Sequence, residues 1–196
     1  MTGASPPGPT SVPVLWLYGA DAVGKTTVAW SIYERLTGEG VPMAFVDTDY
    51  LAFCQPGFED GPARLVGLNL GAMWANFRQA GARALVVSGV VVTADEAERY
   101  RGSIPGAAVT LCRLRASEAE IATRIVHRRR LEQPRGDLGE RVEQELADYA
   151  ARAARFAAHL DREAFADVVV DTTGRSVTEI ADEVLVGAGD WLAAVQ

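Results

Sequence analysis

The sequence predicts an α/β protein of three layers, with a five-stranded parallel sheet between two layers of helices. Two observations carry this. Short apolar runs alternate with segments of helical period from Val12 onward, the pattern of repeated βαβ units. Several of the runs are also apolar without interruption, as strands covered on both faces must be. The chain of 196 residues is 48% hydrophobic and 23% charged, which is enough apolar material for one core.

The elements follow in order. Residues 1–11, with Pro6-Pro7-Gly8-Pro9 at their centre, read as a disordered leader, since Pro and Gly bring little to bury. Val14 to Tyr18 is the first strand, stopped by Gly19. Val28, Ala29, Ile32 and Leu36 form a helical stripe over 25–37, ended by Gly38 and Gly40. Met43 to Val46 is the second strand. Residues 63–80 read as a helix with Leu65, Leu68, Met73 and Phe77 inward. Ala84 to Val92 is the third strand and Ala107 to Leu114 the fourth. Ser117 is placed to cap a helix carrying Ile121, Arg124 and Ile125. Pro134-Arg135-Gly136 breaks that run, and a long helix follows with Leu138, Val142, Leu146, Tyr149, Phe156 and Leu160 on its apolar face. Val168 to Val170 is the fifth strand, and Val177, Ile180, Val184 and Leu185 mark a last helix. Residues 12–196 contain no internal repeat and no sign of a second domain.

Charge and composition exclude several classes. The formal net charge is -7, which disfavours a non-specific nucleic-acid binder. Two cysteines, Cys54 and Cys112, cannot build a disulfide framework or a four-cysteine zinc site and fit a reducing cytoplasm. The N-terminus lacks the basic start and apolar stretch of a signal peptide. The most apolar run, Ala84 to Val92, is far shorter than the ~20 residues of a membrane helix. Of the 19 Lys+Arg, 18 are arginine and one is lysine, Lys25.

That lysine sits in Gly19-Ala20-Asp21-Ala22-Val23-Gly24-Lys25-Thr26, which fits G-x-x-x-x-G-K-[ST] between an apolar strand and a helix. Glycines let successive backbone N–H groups turn inward on a phosphate, and the helix N-terminus adds its positive end. Lys25 is placed to neutralise the β- and γ-phosphates, and Thr26, followed by Thr27, to offer a hydroxyl to Mg²⁺. After the second strand, Asp47 and Asp49 project to the same side if the chain stays extended. One is suited to holding Mg²⁺ or its water, the other to orienting or deprotonating an acceptor hydroxyl.

The loop resembles the Walker A loop of the P-loop NTPases. Within that superfamily the solitary lysine excludes a GTPase N-K-x-D and the extra-lysine loops of partitioning ATPases. No L-S-G-G-Q occurs, and no acid closes the third strand. What remains is the nucleoside-monophosphate-kinase-like group of small-molecule kinases. The Asp47-Thr48-Asp49 stretch is similar to the D-x-D of shikimate and adenylylsulfate kinases. That resemblance implies a P-loop kinase-like fold, with Asp47 on the metal side and Asp49 on the substrate side. The segment from Leu111 to Arg128 resembles the entry to a lid, here around 124–140, where Arg124 or Arg128 folds over the polyphosphate. The stretch from Val168 to Gly174 looks like the last strand and loop of these kinases, which puts Thr173 and Gly174 along the adenine.

The chain departs from the named activities. Ala52 stands where adenylylsulfate kinases have an arginine. No Gly-Gly-Gly occurs for shikimate, no histidine follows the strand-two acid as in gluconate kinases, and a zinc lid lacks its cysteines. The layout is closer to chloramphenicol phosphotransferases and tunicamycin-resistance proteins. A bulky acceptor against Leu51, Phe53, Trp74 and Phe77 would suit it. The resemblance thus implies an ATP- and Mg-dependent phosphotransferase acting on a hydroxyl of a small molecule, a metabolite or antibiotic, in the cytoplasm. It implies no nucleic acid and no membrane, and a homodimer stays open. The alternative is a nucleotide-binding ATPase or switch without acceptor chemistry.

Overall fold

The computed structural model describes residues 11–132 and 139–195. The expected leader lies outside them except for Ser11, as does the expected break at Pro134-Arg135-Gly136.

Five strands form one parallel sheet in the order β2-β3-β1-β4-β5. They are β1 Val12–Tyr18, β2 Met43–Asp47, β3 Ala84–Ser88, β4 Ala107–Arg115 and β5 Val168–Asp171. Among the described residues seven α-helices accompany them: α1 Lys25–Gly38, α2 Pro62–Gln79, α3 Ala94–Ser103, α4 Glu118–Glu132, α5 Gly139–Glu163, α6 Val177–Gly187 and α7 Gly189–Val195. Among the described residues, no helix is long and apolar enough to cross a membrane.

β1 is central because its side chains are apolar on both faces. Leu15 and Leu17 enter one core with α1, α4, α6 and α7. Val14, Trp16 and Tyr18 enter a second core with α2 and α3. Both cores are buried, so a run of consecutive hydrophobic residues is what this strand requires. β1 pairs with β3 on one side, Leu17 opposite Ser88, and with β4 on the other, Tyr18 opposite Arg113. The chain leaves β1 for β2 at one edge, while β3 connects past β1 to β4. A crevice at the carboxyl ends of the strands results at that reversal, which is where open α/β sheets bind ligands.

The structure corrects several boundaries. β3 stops at Ser88 rather than Val92, because Gly89 turns the chain and residues 89–93 lead into α3, a helix the periodicity missed. α3 is polar, with only Ala97 and Tyr100 buried, so it shows no apolar stripe. The inward face of α2 is also rotated from the expected one. Val66, Gly67, Leu70 and Trp74 are buried, the expected Met73 and Phe77 pack partly buried against the same core, and Leu68 is exposed. The reason is the packing of α3: a Cβ on Gly71 would stand 2.6 Å from the Ser103 carbonyl oxygen. Small residues therefore face the neighbouring helix where large ones were expected. α7 was missed as well, and it buries Trp191.

A candidate phosphate site at the carboxyl edge of the sheet

The loop after β1 is shaped by Gly19 and by what crowds it. A Cβ at Gly19 would fall 2.3 Å from the Leu114 carbonyl oxygen of β4, at φ +151°. Only glycine lets the loop leave the sheet this close to its neighbour. Ala20, Ala22 and Val23 are buried and anchor the loop to the core, whereas Asp21 stays half-exposed. Gly24 is the N-cap of α1 and has no side chain to offer. The first turn of that helix has neither a side-chain cap nor an acidic residue. The first N–H groups of α1 thus face outward without a side-chain partner, a ready anion site.

Lys25 opens α1 and is 7% exposed. Its ammonium donates to the Ala20 carbonyl at 3.1 Å and lies 4.0 Å from an Asp21 oxygen. Burial pulls its pKa down. The charges of Asp21, Asp49 and Asp47 oppose that, and Arg128 adds to it. Lys25 therefore feels the charges of three carboxylates and one arginine, with Asp21 in direct reach.

Thr26 donates its hydroxyl proton to Asp47 Oδ2 at 2.7 Å. The two groups expected to share Mg²⁺ are thus adjacent, across 21 residues of sequence. Hard oxygen donors, few in number, suit a cation that keeps its waters and binds mainly through phosphates. Thr27 is exposed on the next position of α1. Among the described residues, no group of three or more His, Cys, Asp or Glu is placed to hold a metal ion, at this site or another.

Asp47 and Asp49 do not share an extended strand, as the sequence led one to expect. β2 ends at Asp47, and Thr48–Tyr50 forms a single 3₁₀ turn capped by Asp47, whose Oδ1 accepts from the Asp49 N–H at 3.0 Å. Both carboxylates nevertheless remain within the field of Lys25. Asp49 keeps a solvent-facing side. The protein packed behind it pushes its carboxyl pKa up, Asp47 and Asp21 add to that, and Lys25 opposes it. The turn is held by Thr48, which donates to the Ser88 carbonyl at 3.2 Å. Ser88 is fully buried beside it, opposite Asp47.

The two lid candidates stand apart in kind. Ser117 caps α4, its Oγ accepting from the Glu120 N–H at 3.2 Å. From that helix, Arg124 donates to the Ala22 carbonyl at 3.3 Å, to Thr172 Oγ1 at 2.9 Å and to the Thr172 carbonyl at 2.7 Å, and it pairs with Glu120 at 2.9 Å. Arg124 thus stitches the phosphate loop to the loop after β5. Arg128, one turn on, is exposed and lies near enough to Lys25 to affect it. Thr173 and Gly174 are both exposed in that last loop. Thr173 Oγ1 accepts from the Ser117 N–H at 2.9 Å, and Gly174 turns the chain at φ +64°. The loop therefore abuts α4 and, through Arg124, the phosphate loop.

The acceptor pocket expected from Leu51, Phe53, Trp74 and Phe77 does not assemble. Trp74 is buried in the core, Leu51 and Phe77 pack partly buried against that same core, and Phe53 is 84% exposed. Sequence reading also missed Thr172, the buried partner of Arg124. It carries no local signal, because it is recruited by a contact made across the fold.

No protein-family profile matches the chain, and no curated protein matches it by sequence. Solved structures do match its fold. A gluconokinase from Sinorhizobium meliloti 1021 is 20% identical, with 92% of this chain and 94% of that one covered and a TM-score of 0.61. The tunicamycin resistance protein of Deinococcus radiodurans is 22% identical over 90% and 95%, with a TM-score of 0.60. The APS kinase of Mycobacterium tuberculosis, solved in complex with AMPPNP and APS, is 19% identical over 92% and 99%, also at 0.60. The uncapped helix behind Lys25, the order of the sheet and these matches agree: the chain has the three-layer fold of the P-loop small-molecule kinases.

Proposed function

We propose that the chain transfers the γ-phosphoryl group of ATP, with Mg²⁺, to a hydroxyl of a small molecule. The observation that carries this reading is the arrangement around Lys25. Lys25 opens α1 at its uncapped start, the next residue Thr26 is bonded to Asp47, and the charge of Asp49 acts on Lys25 as well. A purely nucleotide-holding site has no need of a second carboxylate. The kinases among its structural neighbours support the same reading.

Bound Mg²⁺ would supply charge neutralisation to the phosphates. Thr26 and Asp47 are the residues that would hold it. The first N–H groups of α1 and the Lys25 ammonium bind the polyphosphate and fix its orientation. Asp49 accepts the proton of the acceptor hydroxyl as its oxygen bonds to the γ-phosphorus, and the bond from that phosphorus to the β,γ-bridging oxygen breaks to release ADP. A carboxyl pKa lifted by surrounding protein suits a proton acceptor better than an ordinary aspartate. Arg128 supplies positive charge over the transferring group, while Arg124 holds the loops that frame it.

The test is ADP release from Mg·ATP against a panel of hydroxylated metabolites and antibiotics. Release stimulated by an acceptor in the wild type, and abolished in a folded Lys25→Ala variant, is the expected outcome. Full transfer by Lys25→Ala contradicts the mechanism. Tight nucleotide binding that no acceptor stimulates, with a partner bound only in one nucleotide state, would make the chain a switch instead.

A further inference from the structure

β3 ends in a hydroxyl that the fold leaves over. Ser88 is fully buried, and its Oγ has no hydrogen-bond partner among the described residues. The buried hydroxyls of Thr48 and Thr172 are both bonded. An orphaned polar group inside a protein costs stability and calls for a reason. The sheet fixes where this one points. Along β3, Leu85 and Val87 enter the core with α2 and α3, whereas Ala84 and Val86 enter the core with α1. The Gly89 N–H still donates to the Leu17 carbonyl at 3.2 Å, so Ser88 keeps its place in the ladder. Alternation then turns its side chain to the α1 face. Met43 and Phe45 share that face on β2, and Asp47 continues it. Ser88 and Asp47 are register partners on adjacent strands, which run about 5 Å apart. Asp47 in turn accepts from the Thr26 hydroxyl at 2.7 Å. The orphan therefore stands beside the pair of oxygens suited to Mg²⁺.

We propose that Ser88 is a positioning residue on the metal side of the site: its hydroxyl, beside Asp47, holds a water of the hydration shell that Mg·ATP brings with it. This rests on the nucleotide-binding reading given above. Mg²⁺ gives up its waters reluctantly, so a site with few protein oxygens has to anchor the waters instead. A hydroxyl does this without charge, accepting from the water through either lone pair. A carboxylate at the same place would add to Asp21, Asp47 and Asp49, all in the same loop region that receives the polyphosphate. A cation entering between Thr26 and Asp47 parts their hydrogen bond and opens the way to the hydroxyl below. The Ser88 carbonyl accepts from Thr48 at 3.2 Å, so the same residue also fastens the turn that carries Asp49. The unmatched hydroxyl is thus a stability cost kept for binding, as local rule-breaking at functional sites commonly is.

Ser88→Ala tests this, because the two roles a buried serine can have predict opposite results. Calorimetric titration with ATP is made in Mg²⁺ and again in excess EDTA, and the thermal midpoint is taken without nucleotide. The variant should bind Mg·ATP about tenfold more weakly, the scale of one lost water-mediated bond in a closed site. Its affinity for metal-free ATP should stay within about twofold of the wild type. Its midpoint should rise, since an unsatisfied buried hydroxyl has been removed. A lowered midpoint makes Ser88 structural and overturns the proposal. So does an equal loss with and without metal, or no loss at all. A wild type that binds ATP in neither condition overturns the nucleotide-binding reading and this inference together. ATP binding by the wild type, with no metal-dependent difference between it and Ser88→Ala, overturns only the inference.

Discussion

Lys25 holds four charged neighbours in one field, so single substitutions around it separate roles that geometry places close together. Arg124 and Arg128 are the clearest pair. Arg124→Ala removes charged donors from Ala22 and from the buried Thr172. That should cost about 2–4 kcal/mol of stability, since each such bond contributes about 1.5–3 kcal/mol, and should show as a lowered denaturation midpoint. Arg128→Ala touches no such bond and should leave stability within about 0.5 kcal/mol. Its effect should instead be a roughly hundredfold fall in kcat, the scale expected when a donor to transition-state charge is lost. The reverse pattern would exchange the two roles. Legibility in the sequence was uneven here. The spacing of the glycines around one lysine singled out Lys25 and Thr26, and Asp47, named by resemblance, lies hydrogen-bonded to Thr26. The difference between two arginines a turn apart was invisible, because it depends on Thr172 and Ala22, which arrive from distant segments.

Elements succeed or fail as units, and two turns carry the site. The Thr48–Tyr50 turn is locked against β3 so closely that a Cβ at Gly89 would lie 1.7 Å from Thr48 Oγ1, at φ +156°. Gly89→Ala should therefore destabilise the fold by about 1–3 kcal/mol, as overpacking does. It should also weaken Mg·nucleotide binding, since Thr48 lies between Asp47 and Asp49. Unchanged affinity would detach the turn from the site. The loop after β5 is stabilised by Asp171, whose carboxylate accepts from the Thr173 N–H at 2.9 Å. That bond, ahead of the charges of Arg115 and Arg175, holds its pKa below the ordinary 3.8. A depressed pKa contributes stability that is present above 3.8 and lost as pH falls through the lower folded value. Asp171→Asn should consequently reduce stability at pH 7 and shrink the further loss on acidification, measured by denaturant unfolding at both pH values. At this scale the five strands and the capped start of α4 were readable from runs and spacing. α3 and the true face of α2 were not, because a polar helix shows no stripe and a Gly67/Gly71 face looks like a weak one until Ser103 is packed on it.

At the scale of the whole molecule, the fold gathers four distant stretches at one edge. The loop after β1, the turn after β2, α4 and the loop after β5 meet where the order β2-β3-β1-β4-β5 reverses direction at β1. The sheet brings the Thr26 hydroxyl to Asp47, and Arg124 ties α4 and the last loop to Ala22. The layered class followed from alternation of elements alone. The strand order did not, since it depends on which edges pair. The acceptor side remained least legible: of the residues expected to form its pocket, Leu51, Trp74 and Phe77 pack into the core and Phe53 is exposed. The central claim is that phosphorus leaves ATP for a hydroxyl and not for water. Following the γ-phosphorus by ³¹P NMR, with whichever acceptor stimulates ADP release, tests it most directly. A new phosphomonoester resonance growing in step with ADP, and absent with Lys25→Ala, is the predicted result; inorganic phosphate as the sole product would contradict it.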